Sequence, residues 1–441
     1  MIIWREFLDD LQKNIPSNVE CELKMMHSKS ALTRFANSQI HQNVDEESAD
    51  IYLTIHKDGK TISRTKNITA VKNSKEFMKE ALESLEESPK DTTWAGLTSK
   101  TDTYEGFQET QEVNPDERAN LVNDFVKEGK DMNAAGYCST YLNNFFVWNT
   151  NGLNSSDTSS SAFIDGIFRT DTSAGSSHRG AVDIKDLDAS QTGKEAAKLA
   201  VDSQNPVDID PGKYEVILGH EAVSTILVFL SVYGLNAKSK IDGMSPILLN
   251  ENQFDEKINL IDTPEDDKSI GFKIDASGAK KYNLEVIKNG VPKTYFHTRR
   301  TSKELNMENT QHEAFGVDEY FGGIGTNLNL SQGDTSQEDM ISSIKNGIYI
   351  NEFWYCRVLD PITQVVTGLN RNGSFLIEDG KITKPIGRLR FTQSFITSLG
   401  QGNVISVGDT ARYADSEFGE GMLKVPKLHL REFNFTGGVS G

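Results

Sequence analysis

The sequence has few cysteines, and their spacing excludes two common uses of this residue. Cys21, Cys138 and Cys356 are the only three in 441 residues, and no two of them form a Cys-x-x-Cys motif. This spacing argues against a disulfide scaffold and against a cysteine-rich zinc site. The first ten residues reach the acidic pair Asp9 and Asp10 too early for a signal peptide. We therefore expect a cytoplasmic protein.

The sequence also lacks the features of several other protein classes. No apolar run approaches the roughly 18 residues of a membrane span, and neither a nucleotide-binding glycine loop nor a Gly-x-Ser-x-Gly nucleophile elbow is present. The net charge is -18, from 64 acidic and 46 basic residues, and no run rich in lysine and arginine interrupts it. Because such a field repels phosphate backbones, we expect no direct nucleic-acid binding, and the lack of a long apolar run predicts no membrane insertion.

The order of helix and strand patterns predicts an α+β protein with two domains. A chain of 441 residues with 37% hydrophobic residues is too long for one ordinary core. Asn114 and Pro115 predict the start of a helix that runs to about Met132. A hairpin turn is predicted at residues 57–60, and a terminal strand at residues 424–435. Strand patterns outnumber helix patterns after residue 240, which favours mixed or antiparallel sheets with flanking helices.

A proline-glycine turn at residues 208–212 is the predicted domain boundary. We therefore predict an N-terminal α+β domain at residues 1–207 and a strand-rich C-terminal domain at residues 208–441. The C-terminal domain would carry a helix that begins with His220 and Glu221, the most distinctive pair in the chain.

His220 and Glu221 form half of a zinc-protease signature. A zincin helix needs a second histidine one turn later, so that two imidazoles hold the metal while the glutamate activates its water. The fourth and fifth residues after His220 are Ser224 and Thr225, and neither is a good zinc ligand.

A purely structural interpretation of this pair is also available, because Glu221 in a first helical turn suits the positive end of the helix dipole. The apolar residues of this segment then form one core-facing stripe, made of Ala222, Ile226, Phe229 and Tyr233.

The other histidines offer weaker sites. His297 lies next to Arg299 and Arg300, whose charge disfavours a metal cation, and His429 alternates with apolar residues as in a strand. His312 and Glu313 lie in a polar stretch and can be interpreted as a surface pair. A metal site that joins His220 with His312 and Glu313 is an alternative that the spacing does not support.

Several segments, in the same order along nearly the whole chain, resemble the TldD/PmbA family, which is often labelled modulator of DNA gyrase. They are RFANSQIHQ at residues 34–42, NTNGL at 149–153, GKEAA at 193–197, PGKYEVIL at 211–218, TNLNL at 326–330, GIYI at 347–350, DPITQ at 360–364 and IEDGKI at 377–382.

The resemblance implies a cytoplasmic zinc-dependent protease made of two related subunits that acts on unfolded peptides. In that family the TldD-type subunit has a His-Glu-x-x-x-His motif and a distant cysteine in a Gly-Met-Cys-Gly context, whereas the PmbA (TldE) type lacks the metal. Here His220 matches the first ligand and Glu221 the catalytic glutamate. Thr225 stands in place of the second histidine, and Leu423 in place of the cysteine.

The resemblance leaves three hypotheses. The first is a PmbA-type subunit without a zinc ion, which shapes a peptide chamber and forms a dimer with a TldD-type subunit or with itself. The second is an active metallopeptidase that uses His220 and Glu221 with unconventional ligands such as His312 and Glu313. The third is a non-enzymatic protein that binds extended peptides along strand edges. The first is favoured, because zinc bound by one imidazole and no thiolate would be held weakly.

Overall fold

Nine α-helices and twenty strands form the described part of this protein. A computed structural model describes residues 2–71, 73–110, 113–315 and 322–438. The helices, numbered in chain order, are α1 (Ile2–Gln12), α2 (Ser74–Glu87), α3 (Pro115–Val126), α4 (Ala189–Asp202), α5 (His220–Phe229), α6 (Ala237–Ile241), α7 (Arg299–Leu305), α8 (Gln337–Ser343) and α9 (Phe395–Ser398). None of the helices in these described ranges is long and apolar enough to cross a membrane.

The first sheet is built from the N-terminal strands. These are β1 (Glu20–Ala36), β2 (Gln39–Lys57), β3 (Lys60–Asn67), β4 (Glu105–Gly106), β5 (Asn133–Asn149), β6 (Asn154–Arg169) and β7 (Ala174–Ala181). The order is β3-β2-β1-β5-β6-β4, and β7 pairs with β6. Helices α1 and α2 contribute residues to a core with β1 and β2, and α3 and α4 to a second core with β5 and β6.

The second sheet combines short strands from distant parts of the chain. These are β9 (Leu260–Asp262), β10 (Leu284–Lys288), β11 (Val291–Pro292), β12 (Leu328–Leu330), β18 (Arg412–Ser416) and β19 (Gly419–Val425). The order is β11-β10-β9-β12-β19-β18. β18 contacts both β7 and α5, so this sheet connects the N-terminal sheet to the helix that carries His220.

The third sheet closes on itself. Its strands are β8 (Gly212–Leu218), β13 (Asn346–Asp360), β14 (Val365–Glu378), β15 (Lys381–Pro385), β16 (Leu389–Ser394), β17 (Val404–Val407) and β20 (Leu428–Gly438). The order is β13-β8-β20-β16-β14-β15, β17 pairs with β20, and a further pairing of β13 with β14 closes a ring. Residues from α5 belong to the large core between this sheet and the second one.

These observations confirm the predicted α+β class with mixed sheets, whereas the boundary at residues 207 and 208 stays a prediction. The turn at Asp58 and Gly59 is confirmed, and both residues have positive φ angles, as a two-residue hairpin of this kind requires. The helix that begins at Pro115 ends at Val126 rather than near Met132, because a short 3-10 turn at Lys127–Gly129 follows it. The predicted terminal strand is divided into β19 and β20.

Candidate functional site

Strand β8 leads directly into α5 and places His220 at the start of this helix. Gly219 joins the two elements, and a Cβ atom there would lie 2.6 Å from the carbonyl oxygen of Asn351. Glycine is therefore required by the close approach of β13. All residues of α5 except Val228 are buried. The predicted core stripe is confirmed, because Ala222, Ile226 and Phe229 are buried in the large core and Tyr233 packs against it. The other sides of the helix are enclosed as well, as expected for one that is apolar all round.

His220 is buried and electrically neutral. Its side chain is 7% exposed, and Nε2 lies 3.3 Å from the carbonyl oxygen of Thr410. Burial, together with the positive charge of Lys427, lowers the pKa of His220 to about 3. A neutral imidazole is the form that binds metals, but one such ligand does not make a zinc site.

The residues at the other two family ligand positions cannot complete a zinc site. The Thr225 hydroxyl donates a hydrogen bond to the carbonyl oxygen of Glu221, over 3.0 Å, within its own helix. Leu423 is buried in the large apolar core. Zinc in proteins takes nitrogen, thiolate or carboxylate donors, so the side chains at these positions do not fit the ion.

Glu221 is held by an arginine. Arg412 in β18 donates from Nη2 to the Glu221 carboxylate over 2.8 Å, and the Glu221 residue is 6% exposed. Burial raises the pKa of Glu221 to about 7, while the charges of His178 and Arg179 oppose this rise. The surrounding protein cations thus offset only part of the cost of burying the charge of this glutamate.

A cavity of about 530 Å³ opens beside His220. Its wall combines residues from β7 and α4 of the N-terminal part with residues from the C-terminal part of the chain. Its cations include Arg179, Arg412 and Lys427, and burial lowers the pKa of Lys427. The apolar part of the wall consists of Leu199, Met340, Tyr349, Phe375 and Ile382.

Sequence reasoning missed a second buried histidine close to Glu221. His178 in β7 is 1% exposed and lies directly opposite Asp165 in β6, with 3.7 Å between Nδ1 and Oδ2. One ligand atom each from Asp165, His178 and Asp415 lie within 4.8 Å of one another. The hairpin of β6 and β7 places Asp165 opposite His178, so the turn between these strands could have indicated this pair from the sequence. The approach of Asp415 could not have been predicted in this way, because β18 is far away in the chain.

Glu352 in β13 lies near the carboxylates of Glu221 and Asp165. Burial raises the pKa of Glu352 to about 8, opposed by Arg371, and the negative charges of Glu221 and Asp165 raise it further. Its carboxyl group accepts hydrogen bonds from Ser176 and Asn372.

His312 and Glu313 are buried rather than exposed, so their interpretation as a surface pair is wrong. His312 Nε2 lies 3.1 Å from Asp262 Oδ2, and Glu313 accepts two hydrogen bonds from Arg299, at 2.8 and 3.0 Å. Neither forms a ligand group with His220 in the described part of the chain. Both side chains take part in buried ion pairs. These pairs form when the surrounding loops are buried, so the local sequence does not indicate them.

A family model described as the PmbA/TldA metallopeptidase C-terminal domain matches residues 211–437, which is more than half of the chain. The chain belongs to the TldD/PmbA family. The matched region contains His220, Glu221, Thr225 and Leu423.

Relatives at the level of sequence are similar over parts of their length. A protein of Methanothermobacter thermautotrophicus named metalloprotease is 25% identical over 251 residues, which cover 55% of this chain and 52% of that protein. A metalloprotease of Methanocaldococcus jannaschii is 26% identical over 182 residues, which cover 39% of each. The chain thus matches about half or less of the length of these two relatives.

Solved structures share the fold of the whole chain. TldE from Thermococcus kodakarensis has a TM-score of 0.84 at 17% identity, covering 99% of this chain and 100% of that one. A candidate modulator of a DNA gyrase from Thermotoga maritima has a TM-score of 0.81 at 20% identity, covering 98% of this chain and 100% of that one. A similar candidate modulator from Bacteroides thetaiotaomicron has a TM-score of 0.81 at 18% identity, covering 99% and 98%.

Proposed function

We propose that this protein is the PmbA (TldE)-type subunit of a cytoplasmic peptidase, and that it holds peptide for a zinc-bearing TldD-type subunit. The observation that carries the proposal is that the residues in place of the second histidine and the cysteine cannot bind zinc. The Thr225 hydroxyl donates a hydrogen bond within its own helix, and Leu423 is an aliphatic residue of the core. His220 is left as a single imidazole, which binds zinc too weakly for catalysis.

The state of Glu221 supports the same proposal. In a zinc protease the glutamate accepts a proton from a metal-bound water. Here Arg412 donates to the Glu221 carboxylate, and this contact stabilises the ionised glutamate in place of a metal centre. Hydrolysis by this chain alone therefore lacks both the ion and a glutamate free to act as its base.

The cavity beside His220 supports the peptide-holding part of the proposal. Its apolar wall can accept side chains, and Lys427 lies in the polar part of the same wall, where it can attract a carboxylate of the peptide. Because the wall combines N-terminal and C-terminal residues, a peptide in this cavity would contact both parts of the chain. The TldE structure from Thermococcus kodakarensis has the same fold over nearly the whole chain, which is compatible with this role.

Co-purification and cleavage assays test the proposal. We expect the full chain to form a complex with a TldD-type subunit that has an intact His-Glu-x-x-x-His motif. A fluorescently labelled unfolded protein should be cleaved by the complex and not by this chain alone, even with added zinc. Replacing the motif glutamate of the TldD-type subunit by glutamine should abolish cleavage.

The matched variant in this chain, Glu221→Gln, should leave cleavage by the complex unchanged. Cleavage by this chain alone that is lost in His220→Ala would contradict the proposal and favour an active metallopeptidase. Peptide binding without cleavage in the presence of the TldD-type subunit would favour the non-enzymatic hypothesis.

A further inference from the structure

Three potential metal ligands that do not belong to the His220 motif converge close to Glu221. Asp165 and His178 face each other across the β6–β7 pairing, and Asp415 is contributed by β18. Their ligand atoms lie within 4.8 Å of one another. Donors that share one ion at about 2.1 Å are separated by about 3–4 Å, so a small inward adjustment of these side chains would be sufficient to coordinate one.

His178 provides an independent sign of a missing ligand. The residue is 1% exposed, and neither ring nitrogen has a hydrogen-bond partner among the described residues. The 3.7 Å between Nδ1 and Asp165 Oδ2 is too long for a hydrogen bond. Buried polar groups nearly always have a partner, and an ion between the imidazole and the two carboxylates would supply one.

We propose that Asp165, His178 and Asp415 bind a divalent transition-metal ion. In the metal-bound form the imidazole is deprotonated, so the three ligands together carry a charge of -2, which such an ion neutralises. Nitrogen together with oxygen donors suits Zn²⁺ or Mn²⁺, whereas Mg²⁺ and Ca²⁺ prefer oxygen donors alone. The inference concerns ligands outside the His220 motif and does not depend on the role proposed for the subunit.

The origin of the ligands gives the ion a structural effect. Asp165 and His178 belong to the first sheet, whereas Asp415 belongs to the second. The ion would therefore connect two sheets that are far apart in the chain. A ligand that binds only the folded protein raises its stability, so the ion should stabilise the contact between the two sheets.

The full, untagged chain is stripped with a chelator and dialysed against Zn²⁺, Mn²⁺ or Mg²⁺, and bound metal is measured by elemental analysis. We expect one Zn²⁺ or Mn²⁺ per chain and no retained Mg²⁺. His178→Gln and Asp415→Asn should each weaken binding by at least about 10-fold, because each removes one of three ligands. Zn²⁺ should also raise the thermal midpoint of the wild-type chain and leave that of His178→Gln unchanged.

His429→Gln is the matched control, because His429 is also a buried strand histidine but pairs with one carboxylate, that of Glu215, at 2.8 Å. It should bind metal like the wild type, and so should His220→Ala. If His178→Gln does not fold by circular dichroism, Asp165→Asn replaces it, since Asp165 is 30% exposed. An absence of bound metal, or binding that the folded ligand variants retain, would overturn the inference. Loss of metal in His220→Ala would also overturn it, independently of any peptidase assay.

Discussion

Arg412 donates a hydrogen bond from Nη2 to the carboxylate of Glu221 over 2.8 Å, at a position where both side chains are largely buried. Removing one partner leaves the other charge buried without compensation. We expect Arg412→Met to lower the free energy of unfolding by about 2–4 kcal/mol, as measured by urea denaturation at neutral pH. Adding Glu221→Gln should recover part of this loss, because the uncompensated carboxylate is then removed.

Lys79→Met is the control for that experiment. Lys79 and Glu83 form an exposed pair within α2, 3.6 Å apart, and exposed pairs of this kind contribute about 0.5 kcal/mol or less. A loss for Arg412→Met as small as that for Lys79→Met, or no recovery in the double variant, would show that Glu221 is not paired as described.

The buried contacts of Asp262 make it a second test of the fold. Its carboxylate lies 2.8 Å from Lys281 Nζ and 3.1 Å from His312 Nε2, and it accepts a hydrogen bond from the amide of Asn327. Burial acts against ionisation, but the charge of Lys281 and the contact with His312 outweigh it and hold the pKa of Asp262 below its usual range. We expect Asp262→Asn to cost about 3 kcal/mol at neutral pH.

The pH dependence of that variant follows from the direction of the shift. A carboxylate with a lowered folded-state pKa stabilises the protein above its unfolded pKa, near 4, and loses this contribution as the pH falls towards the folded value. The stability difference between wild type and Asp262→Asn, measured by urea denaturation, should therefore shrink below about pH 4. A difference that stays constant down to the acid transition would contradict the assigned pairing.

The contribution of Glu352 to stability should depend on pH in the opposite direction to that of Asp262. Burial and the nearby carboxylates raise the pKa of Glu352 to about 8, so the folded state binds its proton more tightly than the unfolded state does. Wild-type stability should therefore fall as the pH rises from about 4.5 to 8. Glu352→Gln removes this term, so its stability relative to wild type should increase over the same window, by about 1–2 kcal/mol after allowance for partial exposure.

Chemical denaturation in the presence of a chelator at several pH values measures this effect without interference from metals. Glu313→Gln is the control, since the charge of Arg299 lowers the pKa of Glu313 to about 2, against the effect of its burial. That variant should lose stability at neutral pH. If the stabilities of Glu352→Gln and Glu313→Gln, each relative to wild type, changed equally with pH, the pKa values of the two carboxyl groups would not be shifted in opposite directions as described.

Local patterns in the sequence were sufficient for the elements but not for their assembly. The cap at Asn114 and the turn at Asp58 and Gly59 were predicted because a cap and a two-residue turn depend on adjacent residues. The enclosure of α5 was not, because it results mainly from strands β13, β18 and β19, which lie more than one hundred positions away in the chain. Hydrophobic periodicity describes one face of a helix, and it cannot reveal how many neighbours cover the other faces.

The same distinction explains the result for the site. The positions of His220, Glu221, Thr225 and Leu423 could be compared from the sequence because they belong to one family motif. Arg412 and His178 were missed, since their relation to Glu221 is created by the packing of β18 against β7 and α5. The family resemblance helped because it supplied a long-range alignment that periodicity lacks.

Restoring the two missing ligands is the most direct test of the motif assignment. The double variant Thr225→His and Leu423→Cys gives His220 the imidazole and thiolate partners found in the family motif. Both replaced residues are buried, so the metal-free variant should lose about 1–3 kcal/mol of stability from the larger histidine. With three protein ligands it should bind Zn²⁺ at least about 10-fold more tightly than the parent chain.

The measurement is made in a His178→Gln background, so that any metal bound near His178 does not contribute to it. The control Thr225→His with Leu423→Ser lacks the thiolate and should show no charge-transfer absorption with Co²⁺, whereas the cysteine variant should show it. If the cysteine variant gains no zinc affinity, or keeps it after His220→Ala, then Thr225 and Leu423 do not occupy the ligand positions of the family.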